Sequence, residues 1–214
     1  MQDVANTLWA YATMGREPGA GVMRGLEGRF IQFCRTDDTT LDAQHVANTL
    51  WAYATMGREP GEGLMRGLEG RAEALAGTFN AQAVANTLWA YATMGRESGA
   101  GLMRGLEGRE EAVEGTFNAQ NVANTLWSYA KMEWKPGAGM MRGLEGRAEA
   151  MAGTFIAQDV ANTMWACATM GREPGAGLTK ELEGRAEALA GTFNAQGANT
   201  QWSYAAMGWE TGWG

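Results

Sequence analysis

Histidine, cysteine and proline are scarce in this 214-residue chain, which has one, two and four of them. His45 and the distant pair Cys34 and Cys167 cannot build a zinc site. The two thiols form neither a disulfide framework nor a metal motif, and they suggest a reducing compartment. Positive charge is also short. Lys and Arg total 17 against 24 Asp and Glu, so the formal charge is −7 and the pI about 4.9. That balance argues against a protein that grips nucleic acid mainly through a basic surface. No apolar run approaches the length of a membrane span. Nor is there a GxGxxG or GxxxxGK[ST] loop following a strand. With no catalytic constellation either, we expect no enzyme, no cofactor or metal, and no membrane or small-molecule partner.

What is present is repetition. The tripeptide Ala-Asn-Thr recurs with its asparagine at Asn6, Asn48, Asn86, Asn124, Asn162 and Asn199, at gaps of 42, 38, 38, 38 and 37 residues. The tryptophans Trp9, Trp51, Trp89, Trp127, Trp165 and Trp202 are one motif position met six times. A fixed period of this size means a stacked array in which each unit borrows its core from its neighbours. We therefore expect a single array over 1–214, with repeats near 1–40, 41–78, 79–116, 117–154, 155–192 and 193–214. The start, inside a repeat and without a signal or transit segment, points to a fragment of a longer chain.

In the third copy, Asn80 is a good N-cap, and apolar residues then fall at Val84, Leu88, Tyr91 and Ala92, at helical spacing. Gly95 stops that helix. After Arg96-Glu97-Ser98-Gly99, where sister copies carry Pro18, Pro60 and Pro174, a second helix is predicted from about Leu102 to Ala112. Leu102, Met103, Leu106 and Val113 share its apolar face. Gly105 and Gly108 lie inside it, each costing roughly 1 kcal/mol relative to alanine unless packing uses them. Each repeat is thus a helical hairpin. The fold class is all-α, an α-solenoid of about six hairpins forming a right-handed superhelix, with the last incomplete. The first copy carries four extra residues within Phe30–Leu41, read as a longer loop, and the last copy lacks its second helix.

Placing Asn86 at zero and advancing about 100° per residue puts the apolar set near 140–240° and leaves Gln82, Ala83, Ala90 and Thr93 around the asparagine, on the far side. In a solenoid that side commonly lines the concave surface. Three residues before each asparagine the copies read Asp3, His45, Ala83, Asn121 and Asp159 while their surroundings hardly change. One varying residue per repeat beside a fixed amide is what a modular reader needs, because these side chains differ in donors and acceptors. Drift after duplication leaves the same pattern, and the amide row also suits a ladder joining adjacent helices. The arginines Arg66, Arg104 and Arg142 are candidates for phosphate contacts or for solvated ion pairs with Glu69, Glu107 and Glu145. A second set is Arg71, Arg109, Arg147 and Arg185. The tryptophan row is expected to pack between repeats.

The unit FNAQ-x-VANTLWAYATMG-x-x-P resembles the octotricopeptide repeat family of helical-repeat proteins, known from algae and some other organellar lineages. The residues that carry the resemblance are Phe79, Gln82, Asn86, Leu88, Trp89, Ala90, Met94 and Gly95, with Pro60 in the preceding copy. It covers essentially the whole chain. Where family repeats often have a proline-rich stretch ending in Glu-Trp, this chain has PGEGL or SGAGL. The resemblance implies an α-solenoid that binds chloroplast or mitochondrial single-stranded RNA selectively and acts in transcript stability, processing or translation. The residues expected to face bases are the varying set with Asn6, Asn48, Asn86, Asn124 and Asn162. Its acidity suits a rival, a scaffold whose concave face holds a peptide or basic protein partner.

Overall fold

A computed structural model describes residues 1–36 and 40–192. Among them there are ten α-helices and no strand: α1 (Gln2–Thr13), α2 (Ala20–Arg35), α3 (Ala43–Thr55), α4 (Glu62–Leu75), α5 (Ala81–Met94), α6 (Ala100–Val113), α7 (Ala119–Lys131), α8 (Ala138–Met151), α9 (Ala157–Thr169) and α10 (Ala176–Ala188). Odd and even helices pair as five hairpins, so the expected all-α, solenoid-type repeat is the fold. The sixth copy lies outside the described residues. The chain divides into two compact units, Met1–Ala112 and Val113–Gly214. In the first, α1, α3 and α5 lie side by side in one row, with α2 packed on α4 in a second. In the second unit, α7 packs on α9 and α8 on α10.

The helix ends follow from local chemistry. Asn80 accepts from the amide of Ala83 at 2.8 Å, and Asp42 and Asn118 do the same for the amides of His45 and Asn121. Without these caps the first-turn amides lose a partner. Gly95 closes α5 at φ 65°, a left-handed conformation that glycine adopts without penalty. In the fourth copy Glu133 takes that place at φ 55°. The extra residues of the first copy do not form a loop from Phe30 as expected. Phe30, Ile31, Phe33 and Cys34 all lie on α2, which runs on to Arg35 because they continue its apolar spacing.

Val84, Leu88, Tyr91 and Ala92 are buried, as are Leu102, Met103, Leu106 and Val113. From the second hairpin to the fifth, the second helix is tied to the entry of its own hairpin by an arginine. Arg109 donates to the carbonyl of Phe79, Arg147 to that of Phe117 and Arg185 to that of Phe155, at 2.5, 2.8 and 2.7 Å. Arg71 reaches the carbonyl of Leu41 at 3.0 Å. The phenylalanines are fully buried, so the clamp fixes a backbone that the aromatic ring has already anchored.

Repeat joins to repeat through a second set of contacts. Tyr53 donates its hydroxyl to Glu27 at 2.7 Å and Tyr91 to Glu69 at 3.5 Å. Arg58 pairs with Glu17 and Arg96 with Glu59, both at 2.9 Å. Glu69 is therefore held by the next hairpin, not by Arg66 on its own helix. Burial first, then the neighbouring carboxylate, pushes both tyrosine hydroxyls far above their ordinary range. At the join of the fourth and fifth copies Cys167 replaces the tyrosine and Lys135, in the fourth copy, replaces the outer glutamate. There Arg172 turns to Glu145 at 3.0 Å instead.

Thr49, Thr87, Thr125 and Thr163 are fully buried, and their hydroxyls have no hydrogen-bond partner among the described residues. Replacing both the polar atom and nothing else removes a desolvation cost of about 1–3 kcal/mol. Thr87→Val is thus expected to raise the thermal unfolding midpoint, read by circular dichroism, whereas Thr87→Ala leaves a cavity and lowers it.

Candidate functional site

The first-row helices carry one surface motif in every copy. Gln82, Asn86, Trp89 and Thr93 fall at i, i+4, i+7 and i+11, within an arc of about 60°. Gln44, Asn48, Trp51 and Thr55 repeat it on α3, and Gln158, Asn162, Trp165 and Thr169 on α9. On α1 the set is Gln2, Asn6, Trp9 and Thr13. On α7 it is Gln120, Asn124, Trp127 and Lys131. Every one of these side chains is exposed or half-buried.

The asparagines do not form a ladder between helices. Asn48 accepts from Gln44, one turn earlier on its own helix, at 2.7 Å. Among the described residues, the side-chain amides of Asn6, Asn86, Asn124 and Asn162 have no protein partner. Their donors and acceptors face solvent beside an indole. The indoles meet in pairs within each unit: Trp51 and Trp89 have ring centroids 6.4 Å apart, and Trp127 and Trp165 6.2 Å, tilted by 34° and 37°. They pack across repeats as expected, yet keep one edge or face open to solvent.

The varying position behaves differently from the exposed row that was anticipated. Ala83 is 1% exposed, Asn121 6% and Asp159 5%. His45 is half-buried, and only Asp3 is open. His45, Ala83, Asn121 and Asp159 stand at the third position of their helices, and in three of them the side chain folds back to the start. His45 Nδ1 lies 3.4 Å from the amide of Asp42, Asn121 accepts from Asn118 at 3.2 Å, and Asp159 from Ile156 at 3.1 Å. Such a capping arrangement satisfies an orphan helix-end donor. Ala90 is buried as well. The open arc is narrower than a single helix suggests, because α3 and α5 press flank to flank and cover the positions beside the asparagine.

Ile156, like Met1 at the start of α1, is a capping position without a polar side chain, and it is 61% exposed. Burial raises the Asp159 carboxyl above its usual range, against the lowering effect of the Ile156 amide. A raised folded-state pKa favours the protonated form, so its contribution is fully present at acid pH and is lost as pH rises through the folded value. Ile156→Asn/Asp159→Asn, which recreates the pair Asn118 and Asn121, is expected to stabilise the chain at neutral pH by about 1 kcal/mol. The gain should shrink as pH falls through the raised value at which Asp159 in the parent protonates, a trend that thermal melts at several pH values check.

Arg66, Arg104 and Arg142 are exposed but sit on α4, α6 and α8, the second-row helices. Acidic residues concentrate there too, in the Glu-rich second helices and the loops before them. The first-row helices hold only Asp3 and Asp159. Among the described residues, the amide and indole stripe is uncharged apart from Lys131. The Cys167 thiol is pushed up to about 12, by burial first and then by Glu145, and it is not a thiolate at neutral pH. Among the described residues, no group of three or more His, Cys, Asp or Glu is placed to hold a metal, and no helix is long and apolar enough to cross a membrane.

Neither the protein-family models nor the curated proteins compared with this chain give a match.

Proposed function

We propose that this chain binds single-stranded RNA through the stripes of its first-row helices, with selectivity for base identity. The observation that carries the reading is the repeated set of one asparagine amide, bonded to no other helix, beside one solvent-open indole per hairpin. An asparagine amide offers a donor and an acceptor to a base edge, and an indole offers a face on which an unstacked base lies. Single strands expose both the edges and the faces that such a surface takes, one base per repeat in other helical-repeat readers. The net charge of −7 does not oppose this, since the acidic residues lie on the other row and in the loops.

Asn6, Asn48, Asn86, Asn124 and Asn162 are assigned to base edges and the tryptophans to stacking. The varying residues support the helix starts and act on recognition through them. Arg66, Arg104 and Arg142 are exposed on the second-row helices, off this stripe, and are left as solvated charges and not as phosphate contacts. With few phosphates neutralised, affinity is micromolar or weaker and its salt slope is shallow. The resemblance to octotricopeptide repeats extends the proposal to an organellar RNA and to roles in transcript stability, processing or translation.

The acidic balance favours a second reading, a scaffold that holds a cationic peptide. A randomised-RNA selection on the purified chain at low salt separates the two. Enrichment of a short motif, weakened when Asn86→Ala and Asn124→Ala are introduced together, supports RNA. No enrichment, with binding of polylysine instead, overturns it in favour of the scaffold.

A further inference from the structure

On α5 the residues left open to solvent are Gln82, Asn86, Trp89, Thr93 and the terminal Met94, and on α7 they are Gln120, Asn124, Trp127 and Lys131. Every other side chain of these two helices is buried. On α9 the stripe of Gln158, Asn162, Trp165 and Thr169 is joined by Ala157 and Ala168 alone. On α3 it is joined by His45, whose ring is turned back onto Asp42. The residues that distinguish one first-row helix from the next, Ala83, Asn121 and Asp159, are at most 6% exposed. They do not reach the surface where a base edge would lie. Successive first-row helices therefore present the same amides and the same indole, copy after copy.

A surface that repeats its chemistry reads the same base at each step. Which base follows from what the stripe lacks. Guanine is commonly specified by Arg or Lys on O6 and N7, and cytosine by Asp or Glu accepting from N4. The open positions of α3, α5, α7 and α9 hold no Arg, Asp or Glu. Their one cation, Lys131, stands two turns beyond Asn124, about 10 Å along the axis. What they do hold is carboxamide, the group that pairs with adenine by donating to a ring nitrogen and accepting from N6. The indole beside each asparagine favours a purine over uracil, whose single ring covers less of it.

We propose that the chain recognises a homopolymeric single strand, a run of adenines, with each hairpin taking one base on its asparagine and tryptophan. This inference rests on the RNA reading above and narrows its substrate. Lys131 meets a phosphate at the fourth hairpin and adds no base preference. The residues at the varying position set the helix starts and affect every base alike. Because neighbouring sites are equivalent, the strand has no unique register within a compact unit and shifts by one repeat without loss of contacts.

Fluorescence anisotropy of the intact chain at low salt tests this, with labelled oligo(A), oligo(U), oligo(C) and a mixed sequence of equal length. Oligo(A) should bind about tenfold or more tightly than the other three, the discrimination that a carboxamide pair supplies. A cytosine at the centre of oligo(A) should weaken binding severalfold, and the same cytosine at either neighbouring position should cost the same. Asn86→Asp with Asn124→Asp keeps the side-chain shape but leaves acceptors only, so the ratio of oligo(A) to oligo(C) affinity should fall severalfold. Asn121→Ala should leave that ratio unchanged. A mixed sequence that outbinds oligo(A), or equal affinity for oligo(A), oligo(U) and oligo(C), overturns the homopolymer inference while RNA binding itself stands. So does a ratio that the aspartate pair leaves unchanged. No binding of any of the four oligonucleotides overturns the RNA reading and this inference with it.

Discussion

Removing two neighbouring indoles, Trp51→Ala with Trp89→Ala, is expected to weaken binding of single-stranded RNA by tenfold or more. The two rings lie 6.4 Å apart on α3 and α5, each half-open, each one residue-turn from an asparagine amide. Stacking of a base on an aromatic side chain is worth about 1–3 kcal/mol, and each 1.4 kcal/mol is a factor of ten in affinity. The double variant also loses the ring-to-ring contact between hairpins, so some stability goes with it. Two features separate the effects. Trp51→Phe with Trp89→Phe retains a stacking face and should recover most of the affinity. Lys131→Thr, on the same stripe but not in the core, should reduce affinity modestly and flatten the salt dependence while leaving the melting temperature unchanged. Fluorescence anisotropy with a labelled oligonucleotide reads all three.

The second large effect concerns the glycines of the second helices, and it has opposite signs at two positions three residues apart. Gly105 faces the end of α4. A side chain there starts 2.9 Å from the Cβ of Ala76, closer than real carbon atoms approach. Gly105→Leu must therefore push α6 away from its neighbour, and overpacking of this kind costs about 1–3 kcal/mol. Gly108 faces open space. Gly108→Ala adds helix propensity without a clash and should gain up to about 1 kcal/mol. Paired urea melts of the two variants check both signs. Equal destabilisation would mean that the hairpins do not pack as close as the α4–α6 contact requires.

The sequence makes the hairpin itself readable. The cap at Asn80, the left-handed stop at Gly95 and the buried face of Val84, Leu88 and Tyr91 all follow from spacing within one helix. What escaped is set by neighbours. Ala83 and Ala90 look exposed on a helical wheel because they stand opposite the apolar set. They are buried because a second helix lies along that flank, and alanine's small side chain suits either situation. The wheel places a residue by angle on one helix and carries no information about the next.

Longer-range partners were hidden for the same reason. Glu69 stands three residues from Arg66, the spacing of a local ion pair, yet it receives the hydroxyl of Tyr91 from the following hairpin. The comparison of copies does hold a clue: where Cys167 replaces the tyrosine, Lys135 also replaces the glutamate that would pair with Arg172, and the arginine moves to Glu145. The stripe was half legible. Asn86, Gln82 and Thr93 were placed together from angle alone, whereas the open edge of Trp89 was not, since its position borders the core. In the varying row Asp3 is exposed as the wheel predicts, whereas Ala83, Asn121 and Asp159 are buried, because a residue three positions into a helix reads as surface until its bond back to the cap is seen.

Single-stranded RNA is proposed to touch the chain along the first-row stripe. Ultraviolet crosslinking of a selected oligonucleotide to the intact chain, with the attached peptides identified by mass spectrometry, tests that most directly. The expected crosslinks fall on α3, α5, α7 and α9, at or beside Trp51, Trp89, Trp127 and Trp165. Crosslinks confined to α4, α6 and α8, around Arg66, Arg104 and Arg142, would place the strand on the opposite row and contradict it.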